Sequence, residues 1–148
     1  MPVMGPISSP PVRRHRPAYR VLLIECRRDS AKQLAWNLEF HGYRTEVACQ
    51  RQEAAVKARG FRPDAVLIDM SLPEDLVKCM ARSIAHEAPQ AQLIAMCRGP
   101  RLRRTAAIPS AQFSAVVADP PDAVALDELL HVLLSRQVMP HPGMSAVH

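Results

Sequence analysis

The sequence predicts an α/β domain built on a parallel sheet, and three observations carry that expectation. Short apolar runs without polar interruption recur along the chain: "VLLI" (21–24), "DAVLI" (64–68) and "QLIAM" (92–96). Strands that read this way are covered on both faces. Between them lie stretches whose apolar residues repeat at helical spacing. Strand and helix signals alternate rather than segregate, which is the pattern of crossover connections.

Taken in order, "VLLI" is the first strand. Ser30 is a plausible N-cap for a helix that places Ala31, Leu34, Ala35 and Leu38 on one face, and Gly42 supplies the stop. "YRTEVAC" (43–49) alternates as an edge strand does, and Ala54, Ala55, Val56 and Ala58 suggest a short helix ending at Gly60. After "DAVLI" and a loop at Pro73, Leu76, Val77, Met80 and Ile84 form a helical stripe that stops at Pro89. "QLIAM" follows, then a less legible stretch that reads as a short helix between Pro100 and Pro109. "SAVVA" (114–118) is the last strand. Asp122 with Leu126, Leu129, Leu130, Leu133 and Leu134 gives the clearest amphipathic helix.

The bulk numbers agree with one domain and two tails. The chain has 148 residues, enough for one ordinary core. Residues 1–18 hold five prolines among small and basic residues, a composition expected of a disordered arm, and residues 138–148 are expected to be a disordered tail. The domain is expected over 19–137, with no output domain beyond it. Four of the five formal positive units come from Arg13, Arg14, Arg16 and Arg20, so the folded part is close to neutral and nucleic acid is not its expected partner. No apolar run approaches the roughly 20 residues of a membrane span. Residues 1–19 lack the continuous apolar segment of a secretory signal, so the expectation is a soluble, cytoplasmic protein.

In parallel sheets ligands bind at the carboxyl ends of the strands, so the residues just after each strand are the ones to read. These are Glu25 and Cys26, then Asp69, Cys97, and Asp119 followed by Pro120. With the element order, the "LIDMSLP" segment, "HGYRTEVA" and "VADP", residues 19–137 resemble the response-regulator receiver domain of two-component signalling. That resemblance implies a flavodoxin-like (CheY-like) three-layer sandwich, its five-stranded sheet ordered 2-1-3-4-5 with helices on both faces. It also implies a phosphoacceptor at Asp69 and a Mg²⁺ site at Glu25 and Asp69.

The family has a second acid where this chain has Cys26, a hydroxyl residue at Cys97, an aromatic switch residue at Val116 and a lysine at Asp119. A thiol is a poor ligand for a hard ion, so Mg²⁺ is expected to bind weakly. Exchanging a cation for an anion beside an incoming phosphoryl group is the most damaging change. Two unit charges about 4 Å apart interact by about 4 kcal/mol at an effective dielectric of 20, and here the sign reverses. The expectation is a stand-alone pseudo-receiver that is phosphorylated poorly or not at all and acts by contact with a histidine kinase or another signalling protein. It is not expected to be an enzyme.

A homodimer through the last helix is what the family implies. The alternatives are a conventional phosphoacceptor with an atypical site, or a nucleic-acid-associated protein using the arm and the cluster Arg98, Arg101, Arg103 and Arg104. That arginine cluster is also a candidate interaction patch. Simpler readings stand beside these: Asp69 as a loop acid capping the next turn, Glu25 as solvated, or Glu25, Asp69 and Asp119 as a three-carboxylate cluster. Cys26 and Cys97 are expected to lie too far apart for a disulfide, because the third strand separates their strands. Cys49 and Cys79 read as ordinary strand-end and helix residues.

Overall fold

The computed structural model describes residues 18–99 and 112–138. Five strands, β1 (Arg20–Ile24), β2 (Arg44–Ala48), β3 (Ala65–Asp69), β4 (Gln92–Cys97) and β5 (Ala115–Ala118), form one parallel sheet in the order β2-β1-β3-β4-β5. Four helices are described: α1 (Arg28–Phe40), α2 (Arg51–Phe61), α3 (Glu74–Glu87) and α4 (Ala123–Val138). The helix expected between Pro100 and Pro109, most of the arginine cluster and both tails lie outside the described residues.

The uninterrupted apolar runs are explained by two cores. Along β1 and β3, Leu22, Ile24, Val66 and Ile68 face Ala54 and Ala58 of α2 and Val77, Met80, Ala81 and Ile84 of α3. The alternate residues Val21, Leu23, Ala65 and Leu67 face Leu34 and Leu38 of α1 and Leu126, Leu130 and Leu134 of α4. Each fully buried side chain of this size contributes about 1.5–3 kcal/mol relative to exposure. The two-sided burial fixes the register, because a one-residue slip would exchange the two cores.

The helix boundaries correct two expectations. Arg27, not Ser30, is the N-cap of α1, and Ser30 lies inside the first turn. Gly60 does not end α2, which runs to Phe61 and closes on Arg62 in the left-handed conformation at φ 56°. Two other helix-end signals hold. Gly42 follows α1 with φ 98°, a conformation that glycine adopts without steric cost, and the Asp122 carboxylate accepts the Ala125 N–H at 2.9 Å. β2 is the alternating edge strand, and Trp36 stands 65% exposed on α1.

Candidate functional site

β1 and β3 are neighbours, and the chain leaves them toward opposite sides of the sheet, so a crevice opens at their carboxyl ends. Glu25 follows β1, Asp69 ends β3 and Asp119 follows β5. Glu25 and Asp69 are buried, at 3% and 2% exposure, which corrects the reading of Glu25 as a solvated acid. The three carboxylates offer oxygens that all lie within 4.8 Å of one another, so the three-carboxylate cluster forms. Val116 sits on β5 with part of its side chain exposed, and Cys97 is buried at the end of β4.

Two buried acids and a partly buried third at this spacing repel one another unless a cation joins them. The chain supplies that cation itself. Arg27 has an extended backbone (φ −81°, ψ 112°) at the turn between β1 and α1, and its guanidinium enters the cluster. Its Nε donates to Glu25 Oε2 at 3.2 Å and one terminal nitrogen donates to Glu25 Oε1 at 3.2 Å, a two-point grip. The same terminal nitrogen donates to Asp119 Oδ2 at 2.9 Å and lies 3.8 Å from Asp69 Oδ2. The Arg27 backbone N–H also donates to Glu25 Oε2, at 3.0 Å. The hydrogen bond to Glu25 is the largest of the influences that hold the Arg27 guanidinium above its ordinary pKa, and it outweighs the lowering effect of burial; the charges of Glu25 and Asp119 add to it.

Arg98 reaches Asp119 from the other side, with Nε 3.3 Å from Oδ2, but its side chain is half exposed and the contact is correspondingly weak. On Asp69, Oδ1 accepts both the Ser71 N–H at 2.9 Å and the Ser71 hydroxyl at 2.7 Å. Asp69 therefore does cap the turn that follows it, and its second oxygen faces Arg27. Counting Glu25, Asp69 and Asp119 against Arg27 and Arg98, the site carries one net negative charge.

At the other side of β1, the structure corrects the cysteine reading. Ile24 pairs with Ala48 in register, so the ends of β1 and β2 are adjacent, and Cys26 is joined to Cys49 by a disulfide with Cα atoms 4.7 Å apart. Cys49 is thus not an ordinary strand-end residue. Cys97 and Cys79 are not disulfide-bonded.

No protein-family model matches the chain, and no curated protein matches it. Solved structures do. A response regulator receiver domain protein (CheY-like) from Methanospirillum hungatei aligns with TM-score 0.71 and 21% identity, covering 82% of this chain and 97% of that one. The chain has the CheY-like receiver fold. The receiver domain of a sensor histidine kinase from Pseudomonas aeruginosa, with magnesium ion coordinated in its active site cleft, aligns with TM-score 0.68 and 20% identity over 80% of this chain and 99% of that one. A member of a family of redox sensors in the streptococci evolved from two-component response regulators aligns with TM-score 0.68 and 18% identity, over 81% of this chain and 52% of that one.

A receiver fold implies a magnesium ion at this crevice, and the residues here do not fit one. Magnesium requires an octahedron of oxygens at about 2.0–2.1 Å. The Arg27 guanidinium already lies among the oxygens that would have to supply it, and Cys26 offers a disulfide sulfur where a carboxylate is needed. Sequence reasoning missed Arg27 because it compared only positions that the receiver pattern names. The available signal was a swap of charges: an acid had replaced the lysine at Asp119, and a new cation stood two residues after Glu25.

Proposed function

We propose that this chain is a receiver-like signalling module that acts by protein–protein contact, with Asp69 phosphorylated poorly or not at all. The observation that carries the reading is the Arg27 guanidinium set among Glu25, Asp69 and Asp119. It supplies the cluster with a permanent internal cation, so part of the charge balance that a receiver obtains from a metal and a lysine is provided without either.

Phosphoryl transfer depends on positioning and electrostatics, and both are unfavourable here. The nucleophile would be an Asp69 oxygen. One of these is committed to Ser71 and the other faces Arg27, while the residue is 2% exposed. A phosphoryl dianion would enter a site of net charge −1, beside Asp119. Magnesium binding is weakened for the reason already given. The partner of such a module is a histidine kinase or another signalling protein, the setting is cytoplasmic, and no catalytic activity of its own is assigned.

Arg27 also favours a second reading. Its terminal nitrogen is 3.8 Å from Asp69 Oδ2, close enough to serve as the charge-offsetting cation in a phosphoacceptor of unusual design. The first reading is preferred because Glu25 and Asp119 already engage that guanidinium at hydrogen-bonding distance. Acetyl phosphate and Mg²⁺ followed by intact mass separates them: the expected result is no stoichiometric phosphoryl adduct. One phosphoryl group gained by the protein and absent from Asp69→Asn would establish the second reading.

A further inference from the structure

We propose that Cys26 and Cys49 form a reversible thiol–disulfide site whose redox state sets how firmly Arg27 is held in the acid cluster. The inference rests on the position of Arg27 and holds whether or not Asp69 accepts a phosphoryl group. Parallel pairing of β1 with β2 brings the two cysteines together at the strand ends, with Cα atoms 4.7 Å apart, inside the range that a disulfide spans without backbone movement. Cys26 is exposed and Cys49 is half-buried, so a small thiolate can reach the bond. In a reducing compartment such bonds are usually transient and redox-sensing rather than permanent.

The coupling follows from where the bond is attached. Cys26 lies between Glu25 and Arg27, the two halves of the grip on the acid cluster. Cys49 is fixed to the start of α2, because its N–H donates to Glu53 Oε1 at 2.9 Å. The disulfide therefore ties the turn that carries Arg27 to a second anchored element. Breaking it leaves that turn held by the Glu25 N–H bond to Ala48 at 3.1 Å, by the Ala31 N–H donated to the Arg27 carbonyl at 2.9 Å, and by the Arg27 side-chain contacts themselves.

The co-reactant is a small-molecule disulfide of the glutathione type, RSSR. The Cys26 thiolate attacks one sulfur of RSSR and the first RS⁻ leaves; the Cys49 thiolate then attacks the Cys26 sulfur of the mixed disulfide and the second RS⁻ leaves. Two thiol protons pass to the two departing thiolates, so the protein loses two electrons and RSSR gains them. Reduction by a dithiol runs the same exchange backward.

The test uses the full chain in oxidised and reduced glutathione buffers. Alkylation and peptide mass report the Cys26–Cys49 link, and NMR reports the Arg27 Nε–H, assigned as the side-chain signal lost in Arg27→Lys. The expected result is a link that forms in oxidised glutathione and opens with a dithiol. Arg27 Nε–H exchange should then accelerate roughly tenfold on reduction, as for a local opening that has lost a tether, and equally in Cys49→Ser. No link in oxidised glutathione, a link that the dithiol leaves intact, or identical Arg27 Nε–H exchange in both states would overturn the proposal. None of these results bears on whether acetyl phosphate modifies Asp69.

Discussion

Replacing Arg27 with alanine leaves Glu25, Asp69 and Asp119 facing one another with ligand oxygens within 4.8 Å. Two like unit charges at that separation repel by about 3.5 kcal/mol at an effective dielectric of 20. Water would enter the vacated space and reduce this, and Arg98 remains on Asp119. The Arg27 side chain is 38% exposed while its three acidic partners are nearly buried, so the case lies between a surface ion pair and a buried one. Removing one partner of a buried pair costs about 3–5 kcal/mol and an exposed pair about 0–1, so Arg27→Ala should cost about 2 kcal/mol. For a domain of this size that is a fall in Tm of roughly 6–10 °C.

Calorimetry on oxidised protein, with and without Mg²⁺ or Ca²⁺, is the assay. The variant should recover stability with the divalent ion, by about 2.7 kcal/mol when the free ion is 100 times its dissociation constant, whereas the wild type should not respond. Unchanged stability in Arg27→Ala together with no response to either ion would refute the view that Arg27 is the cation of the cluster.

Two further outcomes are expected. Cys49→Ser opens a loop whose ends are 23 residues apart, so oxidised wild type should exceed the variant by about 3 kcal/mol in urea unfolding, with the difference disappearing in reductant. Glu53 is held below its ordinary pKa, first by the Cys49 N–H and then by Lys57 despite some burial, so its stabilising contribution is present above the unfolded carboxylate pKa and is lost as pH falls through the lower folded value. Glu53→Gln should therefore lower Tm at pH 7 and cease to do so in acid, as read from Tm against pH for both proteins.

The fold was legible because strands buried on both faces write their burial into continuous apolar runs. "VLLI", "DAVLI" and "QLIAM" correspond to β1, β3 and β4, and the leucine stripe from Leu126 to Leu134 lies on the buried face of α4. Helix ends were less legible, since Ser30 and Gly60 suit a cap and a stop by residue type, whereas α1 starts directly after Arg27 and α2 runs on to Phe61. The three acids were found because strand ends converge in a parallel sheet. Arg27 and the Cys26–Cys49 bond were not, and for one physical reason: each depends on a side-chain direction or a register between strands rather than on spacing along the chain. The strand order 2-1-3 implied by the resemblance did place the ends of β1 and β2 side by side. Carrying that adjacency through to Cys49 would have suggested the pair.

The Arg27 guanidinium lies among the three acids, where a cation is needed. The sharpest check is a titration of Mg²⁺ into the oxidised chain, followed by the backbone amide signals of Asp69 and Met70. No saturable change is expected across the millimolar range in the wild type, and a saturable one is expected in Arg27→Ala. A saturable shift in the wild type, at the same concentrations as in the variant, would contradict it.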